Sequence, residues 1–403
     1  MNEVNHKIAL DAHLFIIGDE GVVFLEEAQR LYALNTAATF LWCSLQEGKS
    51  LSETTVRMAQ SSSASRGRVE QLIREMIGSW EEMGLIEGSR KATPTPLHRS
   101  LDPNISPQIP QTLVPVTAAI SECRYRILDS YIRVTFNSID AATRVHACFG
   151  HLKSEEASRD DVTFEVIEVE EGFLIKQDDA VECFCRSIRQ LVPALHGLLS
   201  ACALNNTDHL MILHAAVVGD GSSCIILPGA SGSGKSTLSA AMMQAGYEFL
   251  SDEFALLQKT TLNVRSVPLA LCLKSTGWPL LTSRFPDLNN LPSHKRFDDK
   301  IVRYLQPSDP SGDGNLDRER PVKAVVFPLF KPGVKTVIRP LSPVETLGRL
   351  SDQCLVIPNW LDRTTVARLV NWVQHLDCWE LQMSNLGEAI EFVGECFEGR
   401  VER

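Results

Sequence analysis

The residues able to do chemistry gather between His214 and Glu253. Gly229 to Ser236 reads GASGSGKS and fits G-x-x-x-x-G-K-[ST]. Gly229, Ala230, Ser231, Gly232, Ser233, Gly234, Lys235, Ser236 and Thr237 are therefore candidates for holding phosphate. The glycines let backbone N–H groups converge on an anion with no Cβ in the way. Lys235 would reach the β- and γ-phosphates, and Ser236 would turn its hydroxyl to Mg²⁺. "CIIL" supplies a strand before the loop and "STLSAAMMQAG" a helix after it, whose N-terminal end favours negative charge. The pattern predicts a nucleoside triphosphate with Mg²⁺ and leaves kinase, ATPase and GTPase open.

Asp252 and Glu253 follow the apolar segment "YEFL". A helix and a return strand would bring them beside the loop. Phosphoryl transfer needs one acid for Mg²⁺ and one to orient or deprotonate the acceptor. Neighbours on a regular strand point to opposite faces, so both can serve one site only where the strand ends or twists. His214 is a polar residue within "LMILHAAVVG". By itself such a histidine reads as a hydrogen-bonded core residue.

These residues need a scaffold, and the chain has length for two or three domains at 403 residues. A hydrophobic fraction of 44% and a charged fraction of 22% suit a globular protein. A net charge of −11 argues against general nucleic-acid binding. The 11 cysteines lack redox or zinc spacing, which predicts reduced thiols and a cytoplasmic location. The first residues lack a secretory-signal pattern, and no apolar run is long enough to span a membrane.

Residues 1–90 read as three short strands and then three helices. Asn35-Thr36 marks one helix start, Ser50 or Ser52 another, and Gly84 a helix end. In the last helix Val69, Leu72, Ile73, Met76, Ile77 and Trp80 recur at helical spacing. Residues 91–115 carry Pro94, Pro96, Pro103, Pro107, Pro110 and Pro115 and read as an extended linker. Residues 116–210 read as an introductory subdomain. In it "AVECFCRSIRQLVPALHGLLSACAL" reads as one helix kinked near Pro193. Residues 211–403 read as the catalytic domain, closed by helices at "PVETLGRLS", "RTTVARLVNWVQHL" and "GEAIEFVGECF". The fold class expected is α/β, α+β overall.

The span from His214 to Glu253 resembles HPr kinase/phosphorylase, whose nucleotide site is of the phosphoenolpyruvate-carboxykinase type. In that family a catalytic histidine precedes the phosphate loop and an Asp-Asp pair follows it. The resemblance implies that His214 is that histidine. It makes Lys235 and Ser236 the loop lysine and metal-binding serine, Asp252 a metal neighbour, and Glu253 the proton acceptor. Glutamate stands where the family has aspartate, and its extra methylene moves the carboxylate by more than about an ångström. The family's Glu-x-Arg-Gly segment has no clean counterpart, and Lys274 in "LCLKSTG" stands near its place. A later family arginine corresponds to Arg296 or Arg303, which otherwise read as surface cations. "LHAAVV", "SGSGKSTLSAA", "LSDEFALL" and "VVFPLF" extend the likeness to kinases of bacterial peptide and envelope gene clusters.

Residues 10–88, through "GVVFLEEAQRLYALNTAATFLW" and "IREMIGSWEEMGLIEG", resemble PqqD-like domains. These winged-helix-like modules recognise leader peptides of ribosomally made, modified peptides. The resemblance implies that a leader adds as a strand along Arg30, Leu31, Tyr32, Ala33 and Leu34, facing the last helix. Arg66, Arg68 and Arg74 would meet acidic leader residues, while Leu34 and Trp42 also read as core.

Together these readings imply a kinase using ATP, with GTP as the alternative, and Mg²⁺. Its acceptor would be a serine or threonine of a precursor peptide. Partners would include that peptide and other enzymes of its pathway, with no nucleic acid and no membrane. The family's hexamers imply a homo-oligomer. Two rivals remain: a small-molecule hydroxyl kinase, and a nucleotide-gated adaptor that presents peptide without catalysis.

Overall fold

The computed structural model describes residues 6–62, 64–88, 118–155, 160–308 and 317–401. The proline-rich stretch 91–115 lies outside them. The chain is of mixed α/β composition and divides into two compact units.

The first unit begins with an antiparallel sheet of β1 (Ala12–Ile17), β2 (Glu20–Leu25) and β3 (Arg30–Leu34), in that spatial order. Helices α1 (Thr36–Gln46), α2 (Leu51–Ser62) and α3 (Arg66–Met83) follow. Asn35 caps α1 by accepting from the Ala38 N–H at 2.9 Å. Of the two serines, Ser50 caps α2: Glu53 N–H donates to its hydroxyl and Ser50 N–H donates to the Glu53 carboxylate, a reciprocal box. Gly84 ends α3 in the left-handed conformation at φ 77°. Leu41, Trp42, Ile73 and Trp80 form the core with Val23, Leu25 and Leu34. Trp42 and Trp80 meet edge to face at 5.3 Å.

This unit also takes in residues 341–352 and 357–378, which the sequence reading had assigned to the C-terminal domain. The helix Pro343–Asp352 packs on β2 and β3, and the helix Arg363–Gln374 packs on β1. Each is amphipathic, and the helices bury Val344, Leu350, Val366, Leu369, Val370 and Val373. A buried pair of amide bonds fixes the second segment: Gln29 Nε2 donates to Leu361 O at 2.9 Å, and Leu361 N–H donates to Gln29 Oε1 at 2.8 Å.

The second unit opens with a five-stranded sheet in the order β4 (Ser121–Ile127), β5 (Ser130–Phe136), β6 (Val162–Val169), β7 (Gly172–Gln177) and β8 (Ala180–Cys185). Helix α4 (Ile139–Phe149) makes the crossover between the parallel pair β5 and β6. Ala180–Cys185 is a strand, not the start of a helix. It pairs with β7, and Ser187 then marks the start of α5 (Ile188–Asn205). Gly172 turns the β6–β7 hairpin at φ 150°, where an added Cβ would lie 2.2 Å from Cys185 O. Helix α5 continues through Pro193 and buries Leu191, Leu195, His196 and Leu199. Its core is continuous with Leu256, Val267, Cys272 and Tyr304, so the expected introductory subdomain shares one interior with the strands that follow it.

The central sheet is mixed. β9 (Met211–Gly219) pairs antiparallel with β10 (Cys224–Pro228), which runs parallel to the strand Val322–Phe330. After β10 come the phosphate loop and α6 (Lys235–Gln244). Strands β11 (Glu248–Ser251) and β12 (Phe254–Leu257) both pair with β9. They form one line along β9, broken at Asp252 and Glu253. A second small sheet holds the strand Leu271–Lys274 against Ile301–Leu305.

Candidate phosphate-binding site

The loop is built by β10 and α6 as its motif requires. Gly232 and Gly234 adopt φ values of 92° and 101°, which side chains rarely tolerate. Gly234 is the N-cap of α6 and offers no side-chain bond to the first amides, so these N–H groups face the loop's hollow. Lys235 is buried, and its Nζ donates to the carbonyls of Gly229 and Ala230. Burial pushes its pKa down to about 8, against the upward pull of Asp252 and Glu253.

The break between β11 and β12 solves the problem of two adjacent acids. Asp252 turns inward. Its Oδ2 accepts from Cys272 N–H at 3.0 Å and its carboxylate meets the Ser236 hydroxyl. Its Oδ1 is buried without a hydrogen-bond partner. Burial, and then the neighbouring Glu253 charge, raise the Asp252 carboxyl to about 6. One carboxylate and one hydroxyl side by side suit a Mg²⁺ ion that takes its other ligands from phosphate oxygens and water. The unpaired Oδ1 is the atom such an ion would satisfy. Among the described residues no group of three or more His, Cys, Asp or Glu side chains could hold a metal alone.

Glu253 is half-buried, and its backbone carbonyl accepts from Ala215 N–H at 3.3 Å. Burial raises its carboxyl, but the cations around it, Arg296 and Lys274 among them, outweigh that and hold it below the usual carboxylate range. Arg296 Nη1 lies 3.8 Å from Glu253 Oε1. His214, on β9, sits opposite Phe254 in register, and its N–H donates to Gln353 O at 2.7 Å. Burial, and then Lys235, push its imidazole down to about 4, so it is neutral at pH 7.

The structure separates the downstream cations. Lys274 Nζ donates to Ser231 Oγ at 2.7 Å and so reaches the loop. Arg296 reaches Glu253, and pairs with Asp298 at 3.3 Å. Arg303 does neither. Its guanidinium lies 3.9 Å from the Trp278 ring and donates to the side chain and carbonyl of Asn289. Two features escaped the sequence reading. One is an open cleft beside Lys235, Ser236 and Thr237, walled by Leu280, Phe330, Met383 and Asn385. The other is His196, buried at a small hollow that Asp252 and Glu253 also line. Its one sequence signal was a polar residue in the apolar run "LVPALHGLLSACAL".

In the first unit, Leu31, Tyr32, Ala33 and Leu34 line a groove whose other wall is Leu72, Met76, Ser79, Trp80 and Met83 of α3. β3 is an edge strand of its sheet. Arg30 opens β3, and Leu34 is core as well as wall. Arg66 pairs with Glu70 at 3.1 Å. Arg68 lines an adjoining hollow with Phe40 and Leu72. Arg74 lies on the exposed face of α3 and is absent from both linings.

No helix among the described residues is long and apolar enough to cross a membrane. No family model matches the chain, and no curated protein does. Among solved structures it is similar to "TbiB1 in Complex with the TbiA(beta) Leader Peptide". That match is 25% identical, covers 21% of this chain and 99% of the other, and has a TM-score of 0.20.

Proposed function

We propose that this protein is a kinase that moves the γ-phosphoryl group of ATP to a serine or threonine hydroxyl. The acceptor is a ribosomally made precursor peptide whose leader docks on the N-terminal unit. One observation carries the reading: the strand break at Asp252 and Glu253 sets an inward acid on Ser236 and a second acid beside it, both next to Lys235. Asp252 fits the metal acid, and Glu253, flanked by Arg296 and His214, fits a general base for an attacking O–H group, read here as a serine or threonine hydroxyl.

In this mechanism the α6 N-terminal amides, Lys235 and Lys274 hold the phosphates and stabilise charge on the transferring group. Ser236 and Asp252 would hold Mg²⁺, which would offset negative charge on the phosphates. Glu253 takes the acceptor's proton as its oxygen bonds to phosphorus, and the β–γ bridging oxygen leaves with the electron pair. Neutral His214 is placed to hydrogen-bond the acceptor or a phosphate oxygen. The cleft walled by Phe330 and Met383 offers apolar faces for a nucleotide base, with GTP as the alternative to ATP. The groove between β3 and α3 supports peptide binding by strand addition, since edge backbone groups there meet an apolar wall.

The test is mass spectrometry of the precursor peptide after incubation with Mg·ATP. A phosphate gained with wild type and lost with Lys235→Ala supports the proposal. Transfer to a free hydroxy compound without peptide, or nucleotide binding with no transfer at all, overturns it.

A further inference from the structure

Pro193 interrupts the hydrogen-bond ladder of α5. A residue at that position would donate its N–H to the carbonyl four residues earlier, which belongs to Arg189, and proline has no N–H to give. Helix α5 packs against the short strand His294–Lys295. His294 is 4% exposed, and its imidazole meets the Arg189 carbonyl. Its Nδ1 has no hydrogen-bond partner, so Nε2 is the nitrogen that serves the carbonyl. A carbonyl only accepts, so Nε2 carries the proton. The ring also tilts against Tyr304 at 5.6 Å. The Arg189 side chain grips the preceding residue: Nε donates to Ser293 O at 3.4 Å and Nη2 to Ser293 Oγ at 3.2 Å. One residue of α5 thus holds two consecutive residues at the strand, one by its guanidinium and one by its backbone.

That strand leads into the turn that carries Arg296. His294 pairs with Val302 and Lys295 with Ile301, and Arg296 N–H donates to Lys300 O at 2.9 Å. Arg296 lies two residues beyond His294, so their side chains leave the same face of the strand. Phe297 to Lys300, the tip, is exposed. The seat of the turn is therefore set at its base, by the strand Ile301–Leu305 and by α5. We propose that His294 is a positioning residue for Arg296: by taking up the Arg189 carbonyl that Pro193 leaves over, it seats the turn so that the Arg296 guanidinium meets Glu253. A bond that the helix cannot make to itself is made to another element, which satisfies the carbonyl and fastens the turn together. The catalytic consequence rests on the reading of Glu253 as the base that Arg296 flanks. The seating itself does not.

The seating is tested without peptide or nucleotide. Full-length protein labelled with ¹⁵N-arginine gives side-chain Nε signals, and that of Arg296 is identified by its loss in Arg296→Lys. His294→Phe keeps a ring against Tyr304 and removes the donor. The expected result is a displaced Arg296 signal, with those of Arg265 and Arg320, which pair with acids elsewhere, in place. An unmoved Arg296 signal overturns the proposal. His294→Gln, whose amide can donate to the same carbonyl, should bring the signal most of the way back. Equal displacement in the Phe and Gln variants makes the role packing alone and also overturns it.

Pro193→Ala separates seating from helix stability. It gives α5 its own donor for Arg189, and a carbonyl has two lone pairs, so this variant alone should leave the Arg296 signal where it is. Added to His294→Phe, it should restore the melting temperature that His294→Phe loses while the Arg296 signal stays displaced. Recovery of both together means that His294 acts only by stabilising α5, and the proposal fails. Release of labelled phosphate from Mg·ATP reads the catalytic half. His294→Phe should lower turnover on the order of tenfold, as Arg296→Ala does, with KM for ATP unchanged, and the double variant should fall no further. Two losses that multiply in full sink the positioning role. If Arg296→Ala leaves turnover intact, the functional reading of the site fails instead, and the seating is judged by the Arg296 signal alone.

Discussion

At the scale of single residues, the proposed mechanism divides the site into groups that would hold phosphate and groups that would handle the proton. Lys235→Ala should weaken Mg·ATP binding by roughly 10- to 100-fold, the loss of a charged hydrogen bond, as isothermal titration would read. Glu253→Gln should leave that affinity within a factor of about two and lower turnover by about 10²- to 10⁴-fold. The two downstream arginines should part company. Arg296→Ala should lower turnover, because it removes the charge 3.8 Å from Glu253. Arg303→Ala should lower stability by about 1 kcal/mol in urea titration and leave turnover alone, because its contacts are Trp278 and Asn289. The sequence could name both arginines but not choose between them. They sit on or beside one short sheet, and only the fold decides which reaches the acids. The phosphate loop was legible because its chemistry is local in the chain. His196 was not, because a histidine in an apolar helix looks the same whether its ring meets a carbonyl or a carboxylate.

At the scale of elements, the decisive feature is a strand that stops for two residues. β11 and β12 share β9 as partner, and the gap between them lets Asp252 and Glu253 leave the pleat's alternation. The apolar segment "YEFL" pointed to a strand before the pair, but nothing in the sequence showed that strand pairing resumes directly after it. The stretch "AVECFC" misled for a related reason. Six residues of mixed polarity before a true helix fit either period, and pairing with β7 settles the matter. That hairpin stack supports α5, and through it His196. Gly172→Ala should therefore cost about 2–3 kcal/mol, read as a lower urea midpoint, since the new Cβ meets Cys185 O in backbone that cannot yield. On α3, Leu72 is 41% exposed on the groove wall. Leu72→Glu should leave the melting temperature nearly unchanged and weaken leader binding by about tenfold in fluorescence anisotropy.

At the scale of the whole molecule, the proposed function, with leader recognition and transfer on separate units, predicts a particular kinetic split. Leu72→Glu should raise KM for the full precursor and leave kcat close to wild type, while Glu253→Gln should do the reverse. A leaderless core peptide should show the same poor KM with both wild type and Leu72→Glu. Buried histidines set the response to acid. Burial holds His151, His214 and His294 near 4, below the unfolded value of about 6.5. The unfolded chain binds more protons in that window, so stability is fully present above about 6.5 and is lost as pH falls toward about 4. Asp252, raised to about 6, acts in the opposite sense and offsets part of this. Melting temperature should drop steadily from pH 7 to pH 4.5, and less steeply in His294→Phe. The domain organisation was the part least legible in the sequence. An amphipathic helix announces that it needs a core but not which one, and "PVETLGRLS" and "RTTVARLVNWVQHL" join the unit that begins far upstream. That plaiting has a consequence for synthesis. β1, β2 and β3 are translated long before the helices that cover them, which end at Gln374. The first unit must wait, partly uncovered, until most of the second has been translated.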